Sequence, residues 1–160
     1  MNRFLALVSL VLFASTAVAA DPVVDEQLVR AISAEMVEAA KEGDTSIISK
    51  YYYPGSKILM DMDPASGGDS TEVPYEEFMM LAEMGMAMMS DAEMAIEITN
   101  VSVDEGRNEA TIEEHSTIVA EMMGIMIAEV SVTETRYGVV DGEVKVLETE
   151  NRLVSIDAVQ

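Results

Sequence analysis

Between Asp91 and Ile156 the chain alternates apolar and polar residues with period two, interrupted only at short turn-forming stretches. That rhythm constrains the fold more than any other feature, because it presents one face of each segment to a core and the other to water. "DAEMAIEITNVSVDEG" carries it through Met94, Ile96 and Ile98, and "EGRN" turns the chain into "EATIEEHSTIVAE". "MMGIM" offers a further turn or bulge before "IAEVSVTETRYGVV". Asp141-Gly142 is a strong hairpin signal, followed by "EVKVLETENRLVSI". Four long strands in an antiparallel meander result.

The preceding residues read as helices. "DPVVDEQLVRAISAEMVEAAKEG" places Pro22 in a first helical turn, Asp25 and Glu26 at the positive dipole end and Gly43 at the stop. Val24, Leu28, Ala31, Ile32, Glu35 and Ala39 form its mostly apolar stripe. "GDTSIISKYYYPG" predicts a shorter helix capped by Asp44 and closed by Pro54-Gly55, and "SKILMDMD" alternates like a strand. After the Gly- and Ser-rich loop "PASGGDSTEVP" a third helix is expected from Tyr75 to about Met89. Three helices followed by a meander make an α+β domain, with the helices on one face of an antiparallel sheet.

Residues 1–20 match a secretory signal peptide: Arg3, an apolar stretch from Phe4 to Phe13, and the small residues "STAVAA". Cleavage near Ala20 would leave one domain, residues 21–160, exported to the periplasm or beyond, with no membrane span. The sequence has no cysteine, which excludes disulfides, thiolate metal sites and cysteine nucleophiles. All 30 acidic residues follow residue 20, and 8 of the 9 basic ones do. So negative a surface repels phosphate backbones and anionic lipid, and nucleic-acid binding is disfavoured.

The stretches "AAKEGDTSIISKYYYPGSKILMDMD" and "VTETRYGVVDGEVKVLE", in the order helix, short helix, strand, loop, helix and meander, resemble the nuclear-transport-factor-2-like (NTF2-like) superfamily. Its SnoaL-like, cystatin-cone members are included in that resemblance. It implies a strongly curved antiparallel sheet, a cone with an internal pocket that the helices close. It also makes a homodimer through the outer sheet face common. Members include isomerases, dehydratases, cyclases and non-catalytic binding modules, so the fold assigns no activity.

Asp63-Pro64 resembles the position of the base aspartate in ketosteroid-isomerase-like members. Those enzymes also use a tyrosine of the first helix, and this first helix has none. If the chain is an enzyme, Asp63 and Glu134 are the expected acid and base. Alternation puts Ile112, Glu114, Ser116 and Ile118 on one face and the single histidine, His115, on the other. Arg136, Glu148, Glu150 and Arg152 share a phase with Val130, Val132, Val144 and Val146, which predicts a charged end to an apolar inner face. The alternative is a row of ion pairs at the rim. In a pocket, Arg136 and Arg152 would orient a carboxylate. Asp61, Asp63, Asp69 and Glu72 approach the spacing of a Ca²⁺ loop, but Ala65, Ser66 and Pro64 break that pattern.

Glu76 to Met94 holds seven methionines. Met80, Met84 and Met88 fall at i, i+4 and i+8 and form one helical stripe. With few charges in the segment, the third helix should be largely buried, its methionines filling core and lining a pocket. Three aligned thioethers would otherwise suit Cu(I). The favoured reading is an exported, non-catalytic pocket protein that binds a small apolar or amphipathic molecule, with no cofactor and no dedicated metal. The expected pocket is Met80, Met84, Met88, Ile96, Ile112, Val132, Arg136, Glu148 and Arg152. The alternatives are proton-transfer or hydration chemistry on pocket carboxylates, and periplasmic Cu(I) handling by thioethers.

Overall fold

The computed structural model describes residues 21–61, 63, 69–89, 92–122 and 124–159. The expected signal peptide, residues 1–20, lies outside the described residues. Among those described, no helix is long and apolar enough to cross a membrane.

Helix α1 spans Glu26–Glu42. It starts later than the sequence suggests because Asp25, not Pro22, organises its end: the Asp25 carboxylate accepts the Leu28 N–H at 2.8 Å. Val24 and Val29, on either side of that cap, are both buried in the core, the arrangement of a hydrophobic staple. Gly43 (φ 69°) ends the helix in the left-handed conformation, with Asp44 N–H returning to the Ala39 carbonyl at 2.8 Å. Asp44 then accepts the Ser46 N–H at 3.0 Å and starts α2, Ser46–Tyr51.

Strands β1 (Lys57–Asp61) and β2 (Thr71–Glu72) pair antiparallel, α3 spans Tyr75–Met89, and four long strands follow. These are β3 (Glu93–Asp104), β4 (Glu109–Met122), β5 (Ile125–Val140) and β6 (Glu143–Ala158). The sheet order is β2-β1-β6-β5-β4-β3. The meander is antiparallel as expected, but β1 runs parallel to β6, so the six-stranded sheet is mixed. At the β5–β6 hairpin Asp141 and Gly142 take φ of 53° and 80°, as a two-residue turn of this sequence requires.

The core lies between α1, α2 and one sheet face, here the inner face. Tyr137, Ile112, Val146, Val29 and Val24 are each at most 1% exposed. Burial of a large apolar side chain of this kind contributes about 1.5–3 kcal/mol. Three bulges set which residues reach that face. Thr99 is the extra residue of β3, between Ile98 paired with Glu114 and Asn100 paired with Glu113. Leu147 and Val154 are the extra residues of β6.

Helix α3 departs from the expectation of burial all round. Met86 is 9% exposed, and Phe78, Met79 and Ala82 pack against the core. Met80 and Met84 are 55% and 57% exposed, with Leu81 beside them at 38%. One side of the helix suffices to cover the core, and Met80, Leu81 and Met84 face solvent.

Candidate functional site

The inner face is apolar at its hairpin end and becomes polar along the strands. Cross-strand register brings hydroxyl and amide groups together there. Ser116 and Ser131 share a hydrogen bond of 2.7 Å, Thr135 and Thr149 one of 3.0 Å, and Asn151 Nδ2 donates to Thr133 Oγ1 at 2.7 Å. Glu114 projects from β4 beside this row, opposite Thr133 on β5 and Ile98 on β3. Ser33, buried on the core side of α1, donates its hydroxyl to Glu114 Oε1. Tyr52 enters from the end of α2, hydrogen-bonded to Thr149, with its ring 4.7 Å from that of Phe78.

Electrostatics follow from the burial. Removal from water raises the Glu114 carboxyl above its usual range, and the Ser33 hydroxyl offsets part of that rise. The Tyr52 phenol is pushed up to about 12, chiefly by burial and further by the nearby Glu114 charge, against the opposing Thr149 bond. Tyr137 is raised well above 10 by burial, with Tyr52 and Glu114 adding to it. The site therefore holds one carboxyl that resists ionisation, two phenols that do not ionise at neutral pH, and a row of hydroxyls. Such a set donates and accepts hydrogen bonds, and Glu114 is its proton-exchanging member.

The overall fold recurs in solved structures. A conserved protein from Planctomyces limnophilus superposes with a TM-score of 0.65 at 15% identity, covering 84% of this chain and 98% of its own. An NTF2-like protein with a cystatin-like fold from Novosphingobium aromaticivorans gives 0.58 at 19% identity, covering 82% of each chain. The hexachlorocyclohexane dehydrochlorinase LinA-type3 from Novosphingobium barchaimii gives 0.60 at 10% identity, covering 82% of this chain and 87% of its own. The chain has an NTF2-like fold. No family model matches the sequence, and no curated protein matches it significantly.

Within this NTF2-like fold the residues singled out from sequence scatter over different surfaces. Ile112 lies on the inner face, 0% exposed, and Ile96 lies farther out on the same face at 37%. Val132, Arg136, Glu148 and Arg152 lie on the outer face instead. Val132 and Arg136 alternate with the inward Thr133, Thr135 and Tyr137 of β5, and on β6 the Leu147 bulge separates Val146, paired with Tyr137 on the inside, from Glu148, turned outward to meet Arg136. Met80 and Met84 stand on the exposed side of α3, and the side chain of Met88 lies outside the described residues.

The expected acid and base are placed apart from the interior row. Glu134 is exposed on the outer face between Glu113 and Glu150. Asp63 is exposed beyond β1, its N–H donating to Asp61 Oδ1 at 3.0 Å. The remainder of the Ca²⁺-like segment, 62 and 64–68, lies outside the described residues, and among those described no three ligating groups converge. His115 points outward as its phase implies, its side chain 50% exposed and 3.8 Å from Glu113 Oε1.

The outer face carries its own ion network. Arg136 donates to Glu109 and Glu148, each at 3.0 Å, and Lys57 reaches Glu148 at 2.6 Å. A cleft of about 250 Å³ opens beside it between Asp104, Arg107, Glu109, Thr111 and Arg136. Its arginines are already paired with Asp104, Glu109 and Glu148, which leaves little free positive charge for a carboxylate ligand.

Sequence reasoning passed over Ser33, Tyr52, Thr135, Tyr137 and Thr149. For Glu114 the signal is present: it has the phase of Ile112 and Ile118. Thr133, Thr135 and Tyr137 alternate with the valines of β5, but the charges that stand out in the sequence share the valine face, which the register places outside.

Proposed function

We propose that this chain binds a small amphipathic molecule on its inner face and that binding, rather than catalysis, is its primary role. The observation that carries this reading is the division of one face into two parts. Glu114, Thr133, Thr135, Thr149 and Tyr52 supply convergent polar groups, and Met94, Ile96, Ile98 and Ile118 supply apolar surface beside them. A few placed polar groups within apolar walls are what orients a small ligand. This reading takes the protein to be exported and takes the outer sheet face as the surface through which a dimer would form.

Native mass spectrometry of the exported protein, purified without added metal or detergent, tests this. A reproducible organic adduct supports the binder, and the same spectrum reports a dimer. A copper adduct would instead favour the thioether reading, for which Met80 and Met84 offer an exposed pair. A bare polypeptide mass would sink constitutive tight binding.

One observation favours proton-transfer chemistry as a second reading: Glu114 is a carboxyl raised by burial, the condition in which such a group serves as acid or base near neutral pH. The enzyme alternative then rests on Glu114, not on Asp63 and Glu134. Turnover lost in Glu114→Gln with ligand affinity retained would establish it.

A further inference from the structure

Glu114 lies partly buried on the inner face without a basic partner. All eight basic residues after residue 20 are described, and they lie on exposed helix faces, at turns or on the outer sheet face. Their partners are elsewhere: Arg30 pairs with Glu26, Lys50 with Glu35, Lys57 and Arg136 with Glu148, Arg107 with Asp104. Arg152 is exposed on the outer face, in register with Asp61. The register places a second carboxylate, Glu129, on the inner face, opposite Ile118. Among the described residues, the inner face thus carries negative groups and no positive ones.

The cover over this face also ends near Glu114. Along β4, Ala110 and Ile112 are 2% and 0% exposed, whereas Glu114, Ser116 and Ile118 are all partly exposed. Farther out on the same face Ile125 and Ile156 are more than half exposed, at 56% and 53%. Glu114 therefore stands at the inner limit of an accessible apolar surface. Ile118, four residues away along the strand, is about 13 Å distant at the usual strand rise.

We infer that this face takes a cationic amphipath, with a primary ammonium at Glu114 and an apolar chain running along Ile118 toward Ile125 and Ile156. The inference rests on the reading of the inner face as a ligand site. An ammonium has three donors, and Glu114 and the Thr133 and Ser33 hydroxyl oxygens are acceptors on its side of the face. The Tyr52–Phe78 ring pair adds polarizable aromatic surface of the kind that attracts cations. A carboxylate ligand would meet Glu114 with no counter-charge, and a neutral ligand would leave a buried carboxyl uncompensated. The formal net charge of −21 concentrates cations around the protein before they bind.

The test is calorimetric titration with octylammonium, 1-octanol and octanoate at neutral pH and physiological salt. Two variants accompany the wild type. Glu114→Gln and Glu113→Gln remove the same charge from neighbouring residues on opposite faces, so non-specific attraction to an acidic surface affects both equally. Octylammonium is expected to bind about tenfold tighter than 1-octanol, and octanoate weakest. Glu114→Gln should abolish that preference while retaining 1-octanol binding, and Glu113→Gln should keep it. Equal binding of octylammonium and 1-octanol, or equal losses in both variants, would overturn the ammonium inference and leave the pocket reading standing. Failure of all three probes to bind would overturn both.

Discussion

Ser33 on α1 donates a hydrogen bond to Glu114 on β4 across 81 residues of sequence, joining the first helix to the sheet through a partly buried carboxyl. Because burial raises this carboxyl, the folded chain holds its proton at a pH where the unfolded chain, near 4.5, has released it. The associated stability is complete below about 4.5 and is lost as pH rises through the folded value. Glu114→Gln keeps an acceptor for Ser33 and removes the ionisable proton. The variant should gain on the wild type as pH rises above 4.5. By neutral pH the gain should be about 1 kcal/mol, the lower end of the cost of an uncompensated buried polar group. For a domain of this size that corresponds to roughly 2–4 °C. Paired thermal melts from pH 4 to 8 check it; a constant offset would refute it.

The orientation of α3 gives a sharper contrast between two methionines. Met86 is packed in the core, and truncation to alanine should cost about 2 kcal/mol or more. Met84, 57% exposed, should tolerate the same change within roughly 0.5 kcal/mol. Urea denaturation of the two variants measures the difference, and equal losses would mean that the helix is turned the other way.

Asn108 fastens the start of the folded chain. Its side chain accepts the Val24 N–H at 2.8 Å and donates to the Pro22 carbonyl at 2.9 Å, from a left-handed backbone position (φ 54°). Asn108→Gly would relax the backbone but lose both bonds, so a net loss of about 1 kcal/mol is expected. Amide exchange at Val24 should accelerate more than exchange in the distant strands.

On the outer face, Lys57 and then Arg136 hold the Glu148 carboxyl below its usual range. The sign is opposite to that of Glu114. Stability from Glu148 is present above pH 4.5 and fades as pH falls through its folded value. These groups are well exposed, so solvent screens them and the effect is small. Glu148→Gln should lower the melting temperature slightly at neutral pH in low salt. The difference should vanish in molar salt, where the Debye length is about 3 Å, and again in acid.

Much of the fold is legible in the sequence because its signals are local. Asp-Gly at 141–142 specifies the hairpin, Gly43 stops the first helix, and the strand period marks the meander. The site is less legible because it depends on bulges and on which side of a helix is covered. Nothing within "EVKVLETENR" announces that Leu147 is supernumerary, so Val146 and Glu148 read as neighbours on one face. Likewise Met79, Met80, Met84 and Met86 are chemically identical, and only packing against Tyr52, Phe78 and the core distinguishes their sides. Short-range helix periodicity has no information about that choice. The parallel pairing of β1 with β6 is a long-range contact with no local signature at all.

The paired bulges of β6 give that strand something like a reading frame. Before Leu147 its odd-numbered positions lie outside; between Leu147 and Val154 they face the helices, and beyond Val154 the original frame returns. Deleting Leu147 would leave Val146 opposite Tyr137, Glu148 opposite Arg136 and Thr149 opposite Thr135, so the bulge would be lost while every side chain kept its face, and the same holds for Val154. The two bulges are therefore the expansion joints of β6, where the strand can lose a residue without turning over, whereas a residue inserted between them, beside Glu150, would reverse the faces beyond it.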